Sequence, residues 1–363
     1  MISDYLFQKA SARKVPLSGT FELSPVCNFA CKMCYVRKTP GQLREEGKTL
    51  IPWRDWLDLA EQCRGAGTLY LLLTGGEPFL YPGFRELYER LHAMGFLLSI
   101  NTNGTLLDEE TVAWLKKAAP QRVNVTLYGA SPETYGRICG DPAGCDRAVR
   151  AIRLLKQAGI PTLINASMIP ENAADLEAIA AFGRELELNT RIATYMFPPM
   201  RREREETDSR FTPEESAQIF MRRARCTLSE EDYQKFLRSR ENERAQEVEN
   251  WGDGPEFMRC RAGRSTFWVN WEGTMTACGM LDFPLKTYPF RESFGDCWAA
   301  LTQAVRTTPV LAGCAGCDRR DICHVCVAMI HAETGTVDQK APYLCRMTEE
   351  TVALMRAEQR KVR

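Results

Sequence analysis

The sequence predicts an α/β fold: six strand–helix units whose parallel strands curl into a partial (β/α)6 barrel, followed by a small cysteine-rich domain. Two observations predict it. Short apolar runs alternate with amphipathic helical stretches from about residue 18 to residue 195, and strands separated by crossover helices pair in parallel. Then seven cysteines, from Cys260 to Cys345, gather in the last third of the chain, where no further strand–helix alternation is visible.

The elements follow in order. Thr20–Ser24 reads as the first strand and leads into a loop with three cysteines. Trp53–Arg64 has helical spacing at Trp53, Trp56, Leu57 and Ala60, and Leu69–Thr74 is a continuous apolar strand. Gly83–Met94 is a helix and Leu97–Asn101 the third strand. Asp108 is placed to cap a helix through Leu115, with Glu110 in its first turn. Arg122–Leu127 is the fourth strand, and Cys145–Ala158 a helix stopped by Gly159. Thr162–Met168, Ala173–Leu186 and Thr190–Tyr195 complete the alternation as strand, helix and strand. Pro198-Pro199 ends it, and Thr212 with Pro213 opens a charged helical stretch from Glu214 to Glu249. The domain plan is an N-terminal segment (1–17), a core (18–200), a helical connector (201–255), a cysteine-rich domain (256–350) and a C-terminal helix or tail (351–363).

The 363 residues, 44% hydrophobic, suffice for one large domain or two modest ones. Basic and acidic side chains balance at 47 each, and no basic stripe points to nucleic acid. The runs Arg201-Arg202-Glu203-Arg204 and Arg222-Arg223-Ala224-Arg225 are flanked by acids and read as solvated helix faces. No signal peptide or membrane-length apolar run is visible, so a cytoplasmic location is expected. In such a chain, fifteen cysteines suggest metal or cluster ligands rather than disulfides.

The densest chemistry lies in Cys27-Asn28-Phe29-Ala30-Cys31-Lys32-Met33-Cys34, a C-x3-C-x2-C spacing. Three thiolates can each take one iron of a cubane cluster and leave the fourth iron open, whereas electron-transfer clusters usually use four cysteines. Structural zinc also wants four ligands, and no fourth is near. After the second strand comes Thr74-Gly75-Gly76-Glu77-Pro78, a turn whose glycines permit close backbone approach.

This pair of motifs resembles the radical S-adenosylmethionine (radical SAM) superfamily. The resemblance implies that Cys27, Cys31 and Cys34 hold a [4Fe–4S] cluster and that Gly75, Gly76 and Glu77 match the loop binding the cofactor's amino group. It offers Thr102 and Asn103, Asn165 and Ser167, the Tyr128-Gly129 turn, and Tyr35 as cofactor-facing candidates. An ordinary Asn-Gly turn and a packed strand serine are the plain readings of some of these. The residue before the last cluster cysteine is usually aromatic in the family; here it is Met33, whose thioether fills apolar space.

The C-terminal order C-x12-G-x4-C, gap, C-x2-C-x5-C-x2-C, gap, C resembles the SPASM extension of some radical SAM enzymes. It implies two auxiliary [4Fe–4S] clusters: an outer one on Cys314, Cys317, Cys323 and Cys345, and an inner one on Cys260, Cys278 and Cys326. The family usually has three residues between the last two cysteines of the tight block; this chain has two. The inner cluster's fourth position is open or taken by Cys297 or His324. Paired zinc is the alternative for this array alone.

By resemblance the enzyme cleaves S-adenosylmethionine reductively, and the 5′-deoxyadenosyl radical takes a hydrogen atom from a peptide or protein side chain. Ribosomal peptide maturation, by thioether or carbon–carbon crosslink, is the leading expectation. Formylglycine formation on a sulfatase is the second, weakened because those enzymes carry an aspartate directly after the cysteine matching Cys278; the nearest here is Asp282. An iron–sulfur electron-transfer protein is the alternative of another class, and the Gly-Gly-Glu turn argues against it. Expected partners are a peptide or protein substrate, a separate leader-peptide-binding protein and a flavodoxin- or ferredoxin-type reductant.

Overall fold

Ser18–Glu22 (β1) is the pivot of an eight-stranded sheet, because strands from both ends of the chain pair with it. On one side it meets Tyr70–Thr74 (β2), and on the other Thr266–Val269 (β7), both in parallel. The protein is represented by a computed structural model describing residues 2–198, 209–238, 260–309, 314, 317, 319, 322, 323 and 326–362. Beyond β2 the parallel series continues through Leu97–Thr102 (β3), Arg122–Thr126 (β4), Thr162–Ser167 (β5) and Asn189–Ala193 (β6). Beyond β7, Met275–Thr276 (β8) pairs antiparallel. The sheet order is therefore β6-β5-β4-β3-β2-β1-β7-β8, and the partial barrel of six strand–helix units is present.

The helices, in chain order, are Ile2–Arg13 (α1), Pro40–Glu45 (α2), Trp53–Gly65 (α3), Phe84–Ala93 (α4), Glu109–Lys117 (α5), Pro132–Cys139 (α6), Gly144–Gln157 (α7) and Leu176–Glu185 (α8). They continue with Pro213–Thr227 (α9), Glu230–Arg238 (α10), Phe294–Thr307 (α11), Val327–Thr334 (α12) and Pro342–Val362 (α13). Local chemistry fixes several starts. Asp108 accepts from Thr111 N at the head of α5, Ser131 from Thr134 N at the head of α6, and Thr212 and Glu215 form a reciprocal capping box on α9.

The strands carry an unbroken apolar row on one face and a mainly polar set on the other. Phe21, Leu73, Ile100, Val125 and Ile164 are fully buried toward the helices. On the other face, register aligns Glu22, Thr74, Asn101 and Asn124, then Thr126 with Asn165. A polar row thus crosses five adjacent strands, and side-chain alternation carries Ser167 onto the same face.

Four differences from the sequence reading have physical causes. The first strand spans Ser18–Glu22 rather than Thr20–Ser24, since the chain turns at Ser24-Pro25, and Ser24 O and Val26 O accept from Gly76 N and Glu77 N instead. The helix expected at Ala173 begins at Leu176 after a tight turn over Pro170–Asp175, because Asn172 spends its side chain on Ile169 N, Tyr128 O and Ser167 O. The charged stretch is two helices, α9 and α10, with Ser229 accepting from Asp232 N between them; its part beyond residue 238 lies outside the described residues. Finally, the N-terminal segment is helical and clasps the C-terminal third: Trp298 Nε1 donates to Lys14 O at 2.6 Å, Ser11 Oγ to Ser265 Oγ at 3.0 Å, and Arg261 pairs with Asp4 at 3.2 Å.

A candidate cluster and cofactor site

The three-cysteine loop leaves β1 and is held against the exits of β2 and β3. Gly76 N donates to Ser24 O at 2.7 Å and Glu77 N to Val26 O at 2.9 Å. A Cβ on Gly75 would lie 2.4 Å from Ser24 O, and one on Gly76 2.4 Å from Val26 O. The close approach that these glycines permit is therefore, first, to the chain's own backbone at the root of the cysteine loop.

Glu77 is fully buried. Thr102 Oγ1 donates to both its oxygens at 2.9 Å, Asn103 N at 2.8 Å and Phe79 N at 3.2 Å. Burial lifts its carboxyl to about 7, against the pull of these donors. It acts as a strut between the β2 and β3 exits. Asn103 completes the link: its Nδ2 donates to Asn28 Oδ1 at 2.8 Å and lies 3.7 Å from Cys27 Sγ, while its Oδ1 accepts from Thr105 N and Oγ1.

The sulfurs are set as acceptors. Phe29 N donates to Cys27 Sγ at 3.4 Å and Arg37 N to Cys34 Sγ at 3.3 Å. In the C-terminal third, Ala262 N points at Cys260 Sγ and Met280 N at Cys278 Sγ, both at 3.5 Å. Burial pushes the Cys27 thiol up to about 12, the cost of an uncompensated thiolate there. Hydrogen bonds, the first from Cys139 and another from Tyr128, pull Cys31 down. The cluster loop also lies along the end of α6: Ala30 N donates to Cys139 O and Lys32 N to Ile138 O. Cys139 looks like an ordinary core thiol in the sequence, and no local signal marks its contact with the loop.

Among the described residues no three His, Cys, Asp or Glu side chains converge tightly enough for one metal ion. Tetrahedral zinc draws all its sulfurs to about 2.3 Å from one ion, whereas a cubane takes one thiolate per iron. Three thiols on one loop, two of them facing backbone N–H donors and the third facing Cys139 and Tyr128, are a donor set that fits such a cluster.

Of the other candidates, Asn165 and Ser167 lie on the polar face near the end of β5. Asn124 joins them; its Nδ2 donates to Asn101 Oδ1 at 2.7 Å, and its own buried Oδ1 has no partner. Tyr128 packs edge-on to Phe29 and Tyr135. Tyr35 packs in a separate cluster with Trp271 and Leu50, and Met33 lies against the main core.

The C-terminal cysteines fall into groups. The Cys314 thiol, raised first by burial, is raised further by Cys323, Cys345 and Cys317, and Cys326, also raised first by burial, is raised by Cys260. Cys297 is buried on α11; burial raises its thiol, and hydrogen bonds from Thr287 and Tyr288 oppose that. His324 lies outside the described residues. Asp282 is half-exposed and pairs with Lys286 at 2.8 Å, which holds its carboxyl below the usual range.

Residues 21–183 match the family model of the Radical SAM superfamily. The chain is 26% identical to an AdoMet-dependent heme synthase of Methanosarcina barkeri, over 89% of this chain and 94% of that protein. It is 29% identical to a PqqA peptide cyclase of Gluconobacter oxydans, over 47% of each. Its fold is similar to that of Streptococcus suis SuiB bound to precursor peptide SuiA, with a TM-score of 0.64 and 17% identity over 94% of this chain and 78% of that one.

Proposed function

We propose that the chain is a radical SAM enzyme of the SPASM type that modifies a peptide: it takes a hydrogen atom from one side chain, and a thioether or carbon–carbon crosslink forms as a second hydrogen leaves as a proton and its electron passes to an iron–sulfur acceptor. Cys27, Cys31 and Cys34 hold the first [4Fe–4S] cluster. When bound there, that cluster supplies the electron that splits S-adenosylmethionine into methionine and the hydrogen-abstracting 5′-deoxyadenosyl radical. Gly75, Gly76 and Asn103 shape the cofactor's berth; Glu77 keeps that berth rigid from beneath. Asn124 Oδ1, Asn165 and Ser167 face the space above the sheet and orient what binds there. Cys314, Cys317, Cys323 and Cys345 hold an outer auxiliary cluster, and Cys260, Cys278 and Cys326 an inner one with an open fourth position.

One observation carries the reading: the cysteine loop is bonded directly to the turns that end β2 and β3, so cluster ligands and cofactor loops form one rigid unit. Peptide chemistry is supported by the peptide-cyclase relatives, which align over about half their length. A second reading, a porphyrin-class substrate, is favoured by the heme-synthase relative, whose similarity extends through most of both chains.

The test is substrate-triggered cleavage. Reconstituted protein, S-adenosylmethionine and dithionite are mixed with peptides encoded by reading frames neighbouring the gene, deuterated at candidate carbons, or with a porphyrin carboxylate. Deuterium in 5′-deoxyadenosine and a peptide mass loss of two hydrogens support the proposal. Turnover of the porphyrin alone sinks it in favour of the second reading.

A further inference from the structure

A cavity of about 430 Å3 lies at the β6 edge of the sheet, between Ala193–Tyr195, α9, α12 and α13. Its volume is that of a small-molecule site. No residue of the cysteine loop, of the Gly75-Gly76-Glu77 turn or of the Thr102-Asn103 turn lines it, so it is a different cavity from the cysteine loop's berth.

The cavity contains one guanidinium, that of Arg223. Its neighbours on α9 are paired outside: Arg222 with Glu177 at 2.7 Å and Arg225 with Glu230 at 2.5 Å. Arg223 turns inward. It lies 4.4 Å over the Phe220 ring, and its Nη1 reaches Ile192 O only at 3.4 Å. No carboxylate pairs with it among the described residues. Burial disfavours its charge. A guanidinium has five N–H donors in a planar fork, so most of this fork has no acceptor among the described residues.

The rest of the lining defines the ligand further. Thr348 and Thr351 spend their O–H groups on Leu344 O and Met347 O of their own helix, leaving oxygen lone pairs toward the cavity. Such oxygens accept N–H groups and disfavour a multiply charged anion. Met329 and Met347 give an apolar, adaptable wall. One cation therefore faces acceptors and thioethers, a set matched by a single carboxylate on an apolar body with a nearby N–H.

We propose that this cavity binds a small monocarboxylate of that kind, its carboxylate gripped by the Arg223 fork.

N-acetylmethionine is a suitable probe: it has a carboxylate, an amide N–H and a thioether chain, and its blocked amine prevents chelation of iron. Calorimetry on the reconstituted protein compares it with N-acetylmethioninamide and inorganic phosphate. The acid should bind, with the neutral amide and Arg223→Gln each weaker by roughly tenfold or more, the worth of a charge-assisted hydrogen bond. Arg223→Lys, which keeps the charge without the fork, should fall between. Thermal melts check that each variant is folded; the acid–amide comparison on the unaltered protein needs no variant. No binding by the acid, equal binding by the amide, undiminished binding by folded Arg223→Gln, or displacement by phosphate overturns the proposal.

Discussion

Asn103 Nδ2 stands 3.7 Å from Cys27 Sγ. The same residue's backbone N–H is fixed by the buried Glu77 carboxylate, so the position of one cysteine is set by a chain of hydrogen bonds through two strand exits.

Asn103→Ala removes bonds to Asn28, Thr105 and the Cys27 sulfur together. Losing a support of this kind typically costs 10–100-fold in metal affinity or activity, so a drop of roughly tenfold or more in 5′-deoxyadenosine formation is expected. The cluster's reduction potential should also become more negative, since an N–H donor to sulfur favours the added electron. An EPR-monitored titration with an unshifted potential would contradict the link.

Glu77 makes stability depend on pH. Its folded carboxyl is raised from 4.5 to about 7, so the folded state binds the proton more tightly than the unfolded chain. Its contribution is complete below about pH 4.5 and lost as pH rises through about 7. That loss is roughly 3 kcal/mol at about 1.4 kcal/mol per unit. Glu77→Gln has no such proton, so denaturant midpoints at pH 5 and pH 7 should converge in the variant. An identical pH profile in both proteins rules this out.

Gly76→Ala places a methyl 2.4 Å from Val26 O, a backbone atom that cannot swing away. A cost of about 1–3 kcal/mol or more is expected, with displacement of the cysteine loop. Iron analysis should show the first cluster missing while the C-terminal iron remains; full iron content would show that the approach is not required.

The sequence disclosed the cysteine loop, the Gly-Gly-Glu turn and most strands because their signals are local: spacing within eight residues, or alternation along one strand. What it hid is set by distant residues or by helix rotation. Nothing near Cys139 announces that it meets Cys31, and nothing near Ser18 announces β7. The run Arg222-Arg223-Ala224-Arg225 reads as one solvated face, yet positions three apart share a helix face while the intervening one is turned by about 100°. Hence Arg222 and Arg225 point to carboxylates and Arg223 points inward.

If the chain holds the three proposed clusters, about twelve irons per chain are expected after anaerobic reconstitution. The triple variant Cys27→Ala/Cys31→Ala/Cys34→Ala should keep about eight and lose all cofactor cleavage. Cys297→Ala should leave iron content and spectra unchanged, since that thiol engages Thr287 and Tyr288. Zinc in the C-terminal array would refute the auxiliary clusters, and a spectral change in Cys297→Ala would close the inner cluster's open position.

Asp282 is held ionised by Lys286. A carboxylate depressed in this way is a weak proton acceptor, so Asp282→Asn should keep turnover within about tenfold, less than the 10²–10⁴ of a general base. A larger loss with substrate binding intact would assign it that role.

The parallel pairing of β7 with β1 has a consequence for synthesis. One edge of the first strand emerges from the ribosome long before Thr266–Val269 exists to cover it. Throughout that interval a row of N–H and C=O groups is open to any passing strand. The C-terminal third thus closes the fold from which the cysteine loop hangs, and a nascent chain stalled before residue 266 would have an adhesive edge.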